Sequence, residues 1–273
     1  MQKDIMQVIM SDMHSASVHA LFLPGAWQGK DTQVQTATHE QKRIRKHFEE
    51  FAAEIRKVRK GKQVRIIHNG DAIDGDHHHS GDVCTLNQKD QSDIHVKLMT
   101  EFQERIDYQR GDEIYYVKGT DVHVTTMENY IGEQMNAVPD GDFYCHYSLE
   151  IVSNGRKSLF VHHGPSAGEG ANEGNSIRNW LRNLYINKER DRKEPPDIVY
   201  TAHVHKPCYS TYVTRIKDEY KTIHGIITPS WQAKTKYAWE KVPMAVNKVG
   251  GTYQIITAEG VIAEPVFRVL DFT

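Results

Sequence analysis

Residues 5–14, Ile-Met-Gln-Val-Ile-Met-Ser-Asp-Met-His, determine the architecture of this chain. A mainly apolar run from Ile5 to Met10 is followed, after Ser11, by a carboxylate, Asp12, and an imidazole, His14. The pattern predicts a buried strand that runs into a loop. Because side chains two residues apart on extended backbone share a face, Asp12 and His14 can reach one cation.

Similar clusters of Asp and His follow other predicted strands of the chain, which contains 16 histidines in all. These clusters are Gly70-Asp71-Ala72-Ile73-Asp74-Gly75, Gly119-Thr120-Asp121-Val122-His123, His162-His163-Gly164 and Ala202-His203-Val204-His205. Histidine is the commonest metal ligand in proteins. Ligand sites in open α/β sheets gather at the carboxyl ends of strands, so the clusters are expected to converge in one crevice. The sequence therefore predicts a metal centre built from Asp and His.

Helices and strands alternate early in the chain, and strands dominate late. The helices are predicted from about His39 to Lys60, from after Asn87 to about Tyr108, and from about Glu173 to Lys188. The strands that follow the first are predicted at 64–67, 114–117, 144–152, 157–161 and 198–201, with a strand-rich carboxyl end through about Val269. Asn154-Gly155 predicts a tight hairpin and hence antiparallel as well as parallel pairing. We expect an α/β fold with two packed mixed β-sheets flanked by helices, an α/β/β/α sandwich, in a single domain over residues 1–273.

Composition limits the partners and the compartment. Acidic residues number 36 against 34 basic ones, a formal charge of -2, so no global field draws the chain to nucleic acid or anionic lipid. Three widely spaced cysteines suggest a reducing compartment. No apolar run approaches the roughly 20 residues that cross a bilayer. We therefore expect a cytoplasmic protein without a membrane span, and the sequence does not determine its oligomeric state.

The order of these clusters resembles the calcineurin-like metallophosphoesterase superfamily: D-x-H, then GD-x-x-D, a glycine-led turn, a histidine that ends a strand, and H-x-H. The resemblance spans Asp12 to His205 and implies the same two-sheet fold. It also implies a ligand set. Asp12, His14 and His205 would hold the first metal, Asp71 would bridge, and His203 would hold the second metal with either His162 or His163.

The third cluster departs from the family, which usually has Gly-Asn-His there. Thr120 and Asp121 occupy those places, and the histidine comes later, at His123. Asp121 or Thr120 is expected to replace the asparagine oxygen. His123 is expected to take over either metal binding or protonation of the leaving group, so Asp121 and His123 are the candidate catalytic residues.

The ligand set implies a two-metal hydrolysis of phosphate esters. Two cations roughly 3.5 to 4 Å apart, sharing Asp71, can lower the pKa of a bridging water, and the resulting hydroxide attacks phosphorus in line. A histidine, for which His123 is the candidate, protonates the departing oxygen. Carboxylate and imidazole ligands without thiolate favour two divalent ions such as manganese, which is the metal we expect, with iron, zinc or nickel as alternatives.

Substrate contacts are expected near the centre, from Asp74 and from the loop that carries His77 and His78, although that loop could equally be solvated. Trp231, with Lys234 and Lys236 nearby, could stack on a nucleobase or be buried in the core of the second sheet. The basic segment 42–62 is better explained as the solvated face of a helix than as a nucleic-acid site.

Three functions remain open from the sequence. The leading hypothesis is hydrolysis of small phosphomonoesters or phosphodiesters, nucleotides among them. A DNA nuclease of the same superfamily is the second, which keeps nucleic acid open as a partner, although little chain is left for a clamp. The third is a metal-binding scaffold without turnover.

Overall fold

The structure is a computed structural model that describes residues 2–30, 32–75, 81–121, 126–216, 219–241 and 247–272. Its strands are β1 (Ile5–Met10), β2 (Ala26–Trp27), β3 (Gln35–Thr36), β4 (Gln63–Asn69), β5 (Glu113–Val117), β6 (Leu149–Ser153), β7 (Arg156–Phe160), β8 (Ile198–Thr201), β9 (Cys208–Ile216), β10 (Glu219–Ile227), β11 (Lys248–Ile256) and β12 (Val266–Asp271). Its helices are α1 (His39–Val58), α2 (Gln88–Arg105), α3 (Met127–Gln134), α4 (Asn175–Arg190) and α5 (Lys236–Lys241).

Ten of these strands form two mixed sheets of five. The first has the order β12-β11-β1-β4-β5, in which β1, β4 and β5 are parallel and β11 and β12 pair antiparallel. The second has the order β6-β7-β8-β10-β9, with parallel pairing of β7, β8 and β10. The Asn154-Gly155 hairpin joins β6 to β7 as predicted, because Asn154 and Gly155 both adopt positive φ.

Apolar side chains arrange the molecule in four layers. Ile9 and Ile67 of the first sheet share a buried cluster with Phe160 and Tyr200 of the second, so the sheets pack face to face. Helices α1, α2 and α3 cover the outer face of the first sheet, and α4 covers that of the second through Leu181 and its neighbours. The predicted α/β/β/α sandwich is therefore confirmed. That the whole chain is one domain stays a prediction.

Helix α1 shows how the sequence sets these layers. Its buried residues recur at helical spacing and include Ile44, Phe48 and Ile55. Thr38 and Gln41 form a capping box that satisfies free N–H groups at the amino end. The helix ends at Val58, two residues before the predicted Lys60. The chain then turns at Gly61, which has a φ of +74°.

The structure also adds elements that the sequence pattern did not predict, namely α3, α5 and the β2–β3 ribbon. None of the described helices is both long and apolar enough to cross a membrane.

Candidate metal centre

The loops that follow β1 and β4 lie side by side because these strands are parallel neighbours. Met10 pairs with His68, so both strands end at the same edge of the sheet. The backbone N–H of Asp12 donates to the carbonyl of Gly70 at 2.9 Å, and that of His14 donates to the carbonyl of Asp71 at 3.0 Å. The first two predicted clusters therefore form one surface.

The second sheet brings the two remaining histidine clusters to the same place. The backbone N–H of Ala202 donates to the carbonyl of His162 at 2.9 Å, which joins the loops after β7 and β8. The N–H of His203 lies 3.3 Å from Oδ2 of Asp12, so this pair of loops also touches the first sheet. The crevice predicted from the strand ends thus lies across the two sheets.

Five of the predicted ligands have left-handed backbone. The φ angles are 49° at Asp12, 40° at His14, 52° at Asp71, 72° at His203 and 54° at His205. Residues other than glycine rarely adopt such angles, and they cluster at functional sites where the surrounding structure holds them. The concentration of these angles at one edge of the fold supports a functional role for this edge.

Two glycines leave room for the loops to meet. A Cβ at Gly70, whose φ is +89°, would lie 2.2 Å from Nδ1 of His162. A Cβ at Gly119 would lie 2.2 Å from the backbone nitrogen of Asp71. Any larger residue at either position would push the loops apart.

Three overlapping groups of side chains in the described part of the chain could hold a metal ion, with all candidate ligand atoms of a group within 4.8 Å of one another. They are Asp12, His14 and His205; Asp12, Asp71 and His162; and His162, His163 and His203. Nε2 of His205 lies 3.3 Å from Oδ1 of Asp12, and Nε2 of His162 lies 3.1 Å from Oδ2 of Asp71. The groups form a continuous cluster with carboxylates at its centre.

The donor atoms fit divalent cations. Oδ1 of Asp12 and Nε2 of His162 are buried and make no hydrogen bond of regular geometry with the described residues, although Nε2 of His205 and Oδ2 of Asp71 lie close to them. Nδ1 of His162 lies 2.8 Å from the carbonyl of Asn69, which can only accept, so Nδ1 carries a proton and Nε2 is the ring atom left to bind a cation. Buried polar atoms without partners are costly, and a cation would satisfy these two.

The charges of the cluster are strongly coupled. Burial raises the pKa of Asp12, but His205 and His162 outweigh it and lower that pKa to about 2. Burial lowers the pKa of His162, but the carboxylates of Asp71 and Asp12 outweigh it and raise it to about 10. For His203 and His163, burial and the charge of His162 lower the pKa. The interior of the cluster thus favours positive charge, while His163 and His203 at its exposed side favour neutral imidazole.

Thr120 holds the central carboxylate in position. Its backbone N–H donates to Oδ1 of Asp71 at 2.7 Å, and its hydroxyl donates to Oδ2 at 3.3 Å. The same hydroxyl lies 3.4 Å from Nε2 of His163. Thr120, which stands where the superfamily that the chain resembles usually has asparagine, therefore orients Asp71.

Buried residues behind the cluster were not predicted from the sequence. Glu128 of α3 accepts hydrogen bonds from the backbone N–H groups of Ala72 and Gly119, and its burial is the main reason that its pKa rises to about 8. His95 of α2 lies within hydrogen-bonding distance of Ser15, the carbonyl of Ala72 and the hydroxyl of Tyr116. A glutamate or histidine on a helix has no local sequence signal for such a role.

Two predicted site residues are placed elsewhere. The carboxylate of Asp121 is 74% exposed and lies 2.5 Å from Nζ of Lys118, so Asp121 does not join the cluster. Trp231 is fully buried against Phe48 and Phe51 between α1 and the first sheet, so the alternative of burial holds, although in the core of the first sheet and not of the second, and the alternative of substrate contact is wrong. An apolar ring of that size is more stable in the core, and only its backbone supports the site, by donating to the carbonyl of Asp12 at 3.2 Å.

The other predicted contacts have different outcomes. Oδ2 of Asp74 lies 3.8 Å from Nδ1 of His14 and accepts from Gln232 at 3.1 Å, a position suited to orienting His14. His77, His78 and His123 lie outside the described residues, and their roles stay predictions.

No protein-family profile matches the sequence, and no curated protein is detectably similar. Among solved structures, a conserved uncharacterized protein from Streptococcus pneumoniae TIGR4, described as a predicted phosphoesterase, is similar with a TM-score of 0.32 and 12% identity over 97% of this chain and 99% of that one. A protein of unknown function from Aquifex aeolicus has a TM-score of 0.33 and 14% identity over 74% and 80%. Vps29 from Chaetomium thermophilum has a TM-score of 0.32 and 9% identity over 98% and 97%.

The chain resembles the calcineurin-like metallophosphoesterase superfamily in the order of its motifs, in its two-sheet architecture and in the meeting of those motifs at one edge.

Proposed function

We propose that this protein is a phosphoesterase that depends on two divalent metal ions. The observation that carries the proposal is the overlap of the three Asp/His groups, since the middle group shares Asp12 with the first group and His162 with the third. In this proposal Asp12, His14 and His205 would hold one ion, His162, His163 and His203 would hold the other, and Asp71 would serve both. We expect manganese, with iron, zinc or nickel as alternatives, because the ligands combine carboxylate and imidazole.

When bound, the two ions would supply Lewis acidity and lower the pKa of water at the centre. The protein contributes hydrogen bonds that fix the orientation of the metal ligands. Thr120 binds both oxygens of Asp71, and the carbonyl of Asn69 fixes the ring of His162. Groups held in this way need little rearrangement during a reaction, which favours catalysis by charge stabilisation. His123 stays the candidate for protonating the leaving oxygen.

The exposure of the cluster suggests how substrate enters. Asp12, Asp71 and His162 are buried, whereas His163 and His203 are exposed. A phosphate ester would therefore approach from the side of His163 and His203. We propose small phosphomonoesters or phosphodiesters, including nucleotides, as the substrates and the cytoplasm as the location.

An assay of the manganese-loaded protein tests the proposal. The substrates are chromogenic phosphate monoesters and diesters, cyclic nucleotides, and single- and double-stranded DNA. We expect turnover of small esters and its loss, by about a hundredfold or more, in His205→Ala, which removes a ligand, and in Asp71→Asn, which removes the charge and one oxygen of the carboxylate shared by the ions. Asp142→Asn, a change at an exposed turn, is the control and should retain activity.

Each alternative function predicts its own outcome in this assay. Cleavage restricted to DNA would favour the nuclease, and two bound ions without any turnover would favour the scaffold. Full activity of Asp71→Asn after treatment with a chelator would contradict the proposal.

A further inference from the structure

The carboxyl group of Glu128 is buried beside the centre and is not part of the proposed ligand set. Its side chain comes from α3, is 1% exposed and does not belong to any of the three metal-binding groups. Oε2 accepts from the N–H of Gly119 at 2.7 Å, and Oε1 accepts from the N–H of Ala72 at 3.2 Å. Each donor is the immediate neighbour of a residue at the centre, Thr120 in one case and Asp71 in the other.

These two hydrogen bonds join the loops that follow β4 and β5 from behind. The loops must approach closely, since a Cβ at Gly119 would lie 2.3 Å from Oδ1 of Asp71. This approach brings the N–H of Thr120 to 2.7 Å from the same oxygen. The position of the Asp71 carboxylate therefore depends on a chain of contacts that begins at Glu128.

The chemistry of this position requires two acceptors. Each of the two oxygens of the glutamate carboxyl group can accept from one N–H, whereas glutamine would present its own NH₂ group to one of them. Alanine would leave both buried N–H groups without a partner, and such groups are costly. Hydrogen bonds to the groups that support a metal ligand commonly change metal affinity by about 10–100-fold.

We propose that Glu128 is a positioning residue that fixes the Asp71 carboxylate between the two metal ions by clamping its loop to the Thr120 loop. This inference rests on the proposed metal function. It assigns Glu128 no contact with metal or substrate.

The test compares Glu128→Gln with Glu133→Gln. Glu133 lies on the same helix and is exposed, so its substitution controls for a change of charge on α3. Manganese affinity is measured by titration calorimetry, the bound ions by elemental analysis, and the melting temperature on chelated protein. We expect Glu128→Gln to bind manganese about 10–100-fold more weakly than Glu133→Gln, to melt within a few degrees of it without metal, and to regain turnover in excess manganese.

Other results would overturn the inference. Equal manganese affinity in the two variants would do so, and so would a Glu128→Gln protein whose weaker binding is matched by a large loss of melting temperature and is not recovered by excess metal. If Glu128→Gln does not fold, Glu128→Asp, which keeps two acceptor oxygens at shorter reach, decides by the same comparison. Failure of the wild-type protein to bind manganese would overturn the proposed function together with the inference, whereas two ions bound equally by wild type and Glu128→Gln would overturn the inference alone.

Discussion

The orientation of single imidazole rings determines what the centre can bind. His162 is fixed by its Nδ1 contact with the carbonyl of Asn69, while His163 next to it has its Nε2 near the hydroxyl of Thr120. The ring centroids of His163 and His203 are 4.6 Å apart. His162 and His163 can therefore bind the same ion together with His203. The sequence alone left His162 and His163 as alternatives.

Replacement of His163 by alanine should weaken the binding of one ion by about 10–100-fold and leave the other unchanged, because the group of Asp12, His14 and His205 does not include His163. Elemental analysis after dialysis against limiting manganese measures the number of ions retained. His39→Ala, at the exposed start of α1, is the control. Two ions held at wild-type affinity would show that His163 is not a ligand.

Residue roles could be predicted only where a short motif carries them. Asp12 and His14 come just after an apolar strand, so their place at the edge of the sheet was predictable. The prediction that they share a face on extended backbone was wrong, because both adopt left-handed φ. Asp121 is in the expected sequence position, but its proximity to Lys118 at the surface could not be foreseen. Glu128 was missed because its partners are backbone N–H groups on other loops, 9 and 56 residues away in sequence.

At the scale of elements, the centre depends on how closely the loops after β4 and β5 approach. Gly119 lies against Asp71, and Gly70 lies against His162. Glycine at these positions removes the side-chain volume that would otherwise separate the loops. The strands set the direction of the loops, and the glycines set their distance.

Gly119→Ala should therefore abolish metal binding, because the added Cβ would lie 2.2 Å from the backbone nitrogen of Asp71 and the Asp71 loop would have to move. Gly61→Ala is the matched control. Its Cβ meets nothing within 4 Å, but its φ of +74° is unfavourable for alanine. The control should lose about 1 kcal/mol of stability and keep its ions. Calorimetric titration with manganese and urea unfolding distinguish the two effects, and a Gly119→Ala protein with normal manganese affinity would contradict this account.

Element bounds were predicted well where periodicity is strong. Strands β1 and β8 have the predicted bounds, and α1 begins at His39 as expected. Helix α3 was missed because it is short and its apolar residues are few. The strand predicted from Tyr144 begins only at Leu149, because the bonds of His146 with Tyr116 and Lys118 form an isolated bridge to the end of β5 instead.

At the scale of the whole molecule, two buried histidines link the centre to global stability. His95 and His68 are fully buried, with ring centroids 4.7 Å apart. Burial lowers the pKa of His95 to about 3 and that of His68 well below its usual value. Both are therefore neutral in the folded protein, whereas in the unfolded chain they bind protons below about pH 6.5.

The sign of the pH effect follows from this difference. Since the unfolded chain takes up the protons, the contribution of His95 to stability is complete above about pH 6.5 and falls as the pH drops toward 3. In chelated protein, His95→Gln should reduce the pH slope of the unfolding free energy by up to about 1.4 kcal/mol per pH unit in this window. Urea unfolding from pH 7.5 to 4.5 measures the slope, with His39→Gln as the control. If the unfolding free energies of wild type and His95→Gln had the same pH slope, this prediction would be wrong.

The two-sheet sandwich was predictable because its alternation of helices and strands is local. That both sheets contribute ligands to one centre was less predictable, because it depends on how the sheets pack. In particular, the contact between the His203 N–H and the Asp12 carboxylate joins residues 191 positions apart. No pattern within either segment specifies that distance.

Five residues of the centre have left-handed φ angles, namely Asp12, His14, Asp71, His203 and His205. The side chains that would bind the cations therefore lower the stability of the fold. Such angles cost on the order of 1–3 kcal/mol each in residues other than glycine, and glycine adopts them freely. A lineage that no longer needed the cations could therefore gain thermal resistance by exchanging these residues for glycine. A homologue that has lost metal binding would have glycines at the positions of these Asp and His residues, in loops of unchanged shape.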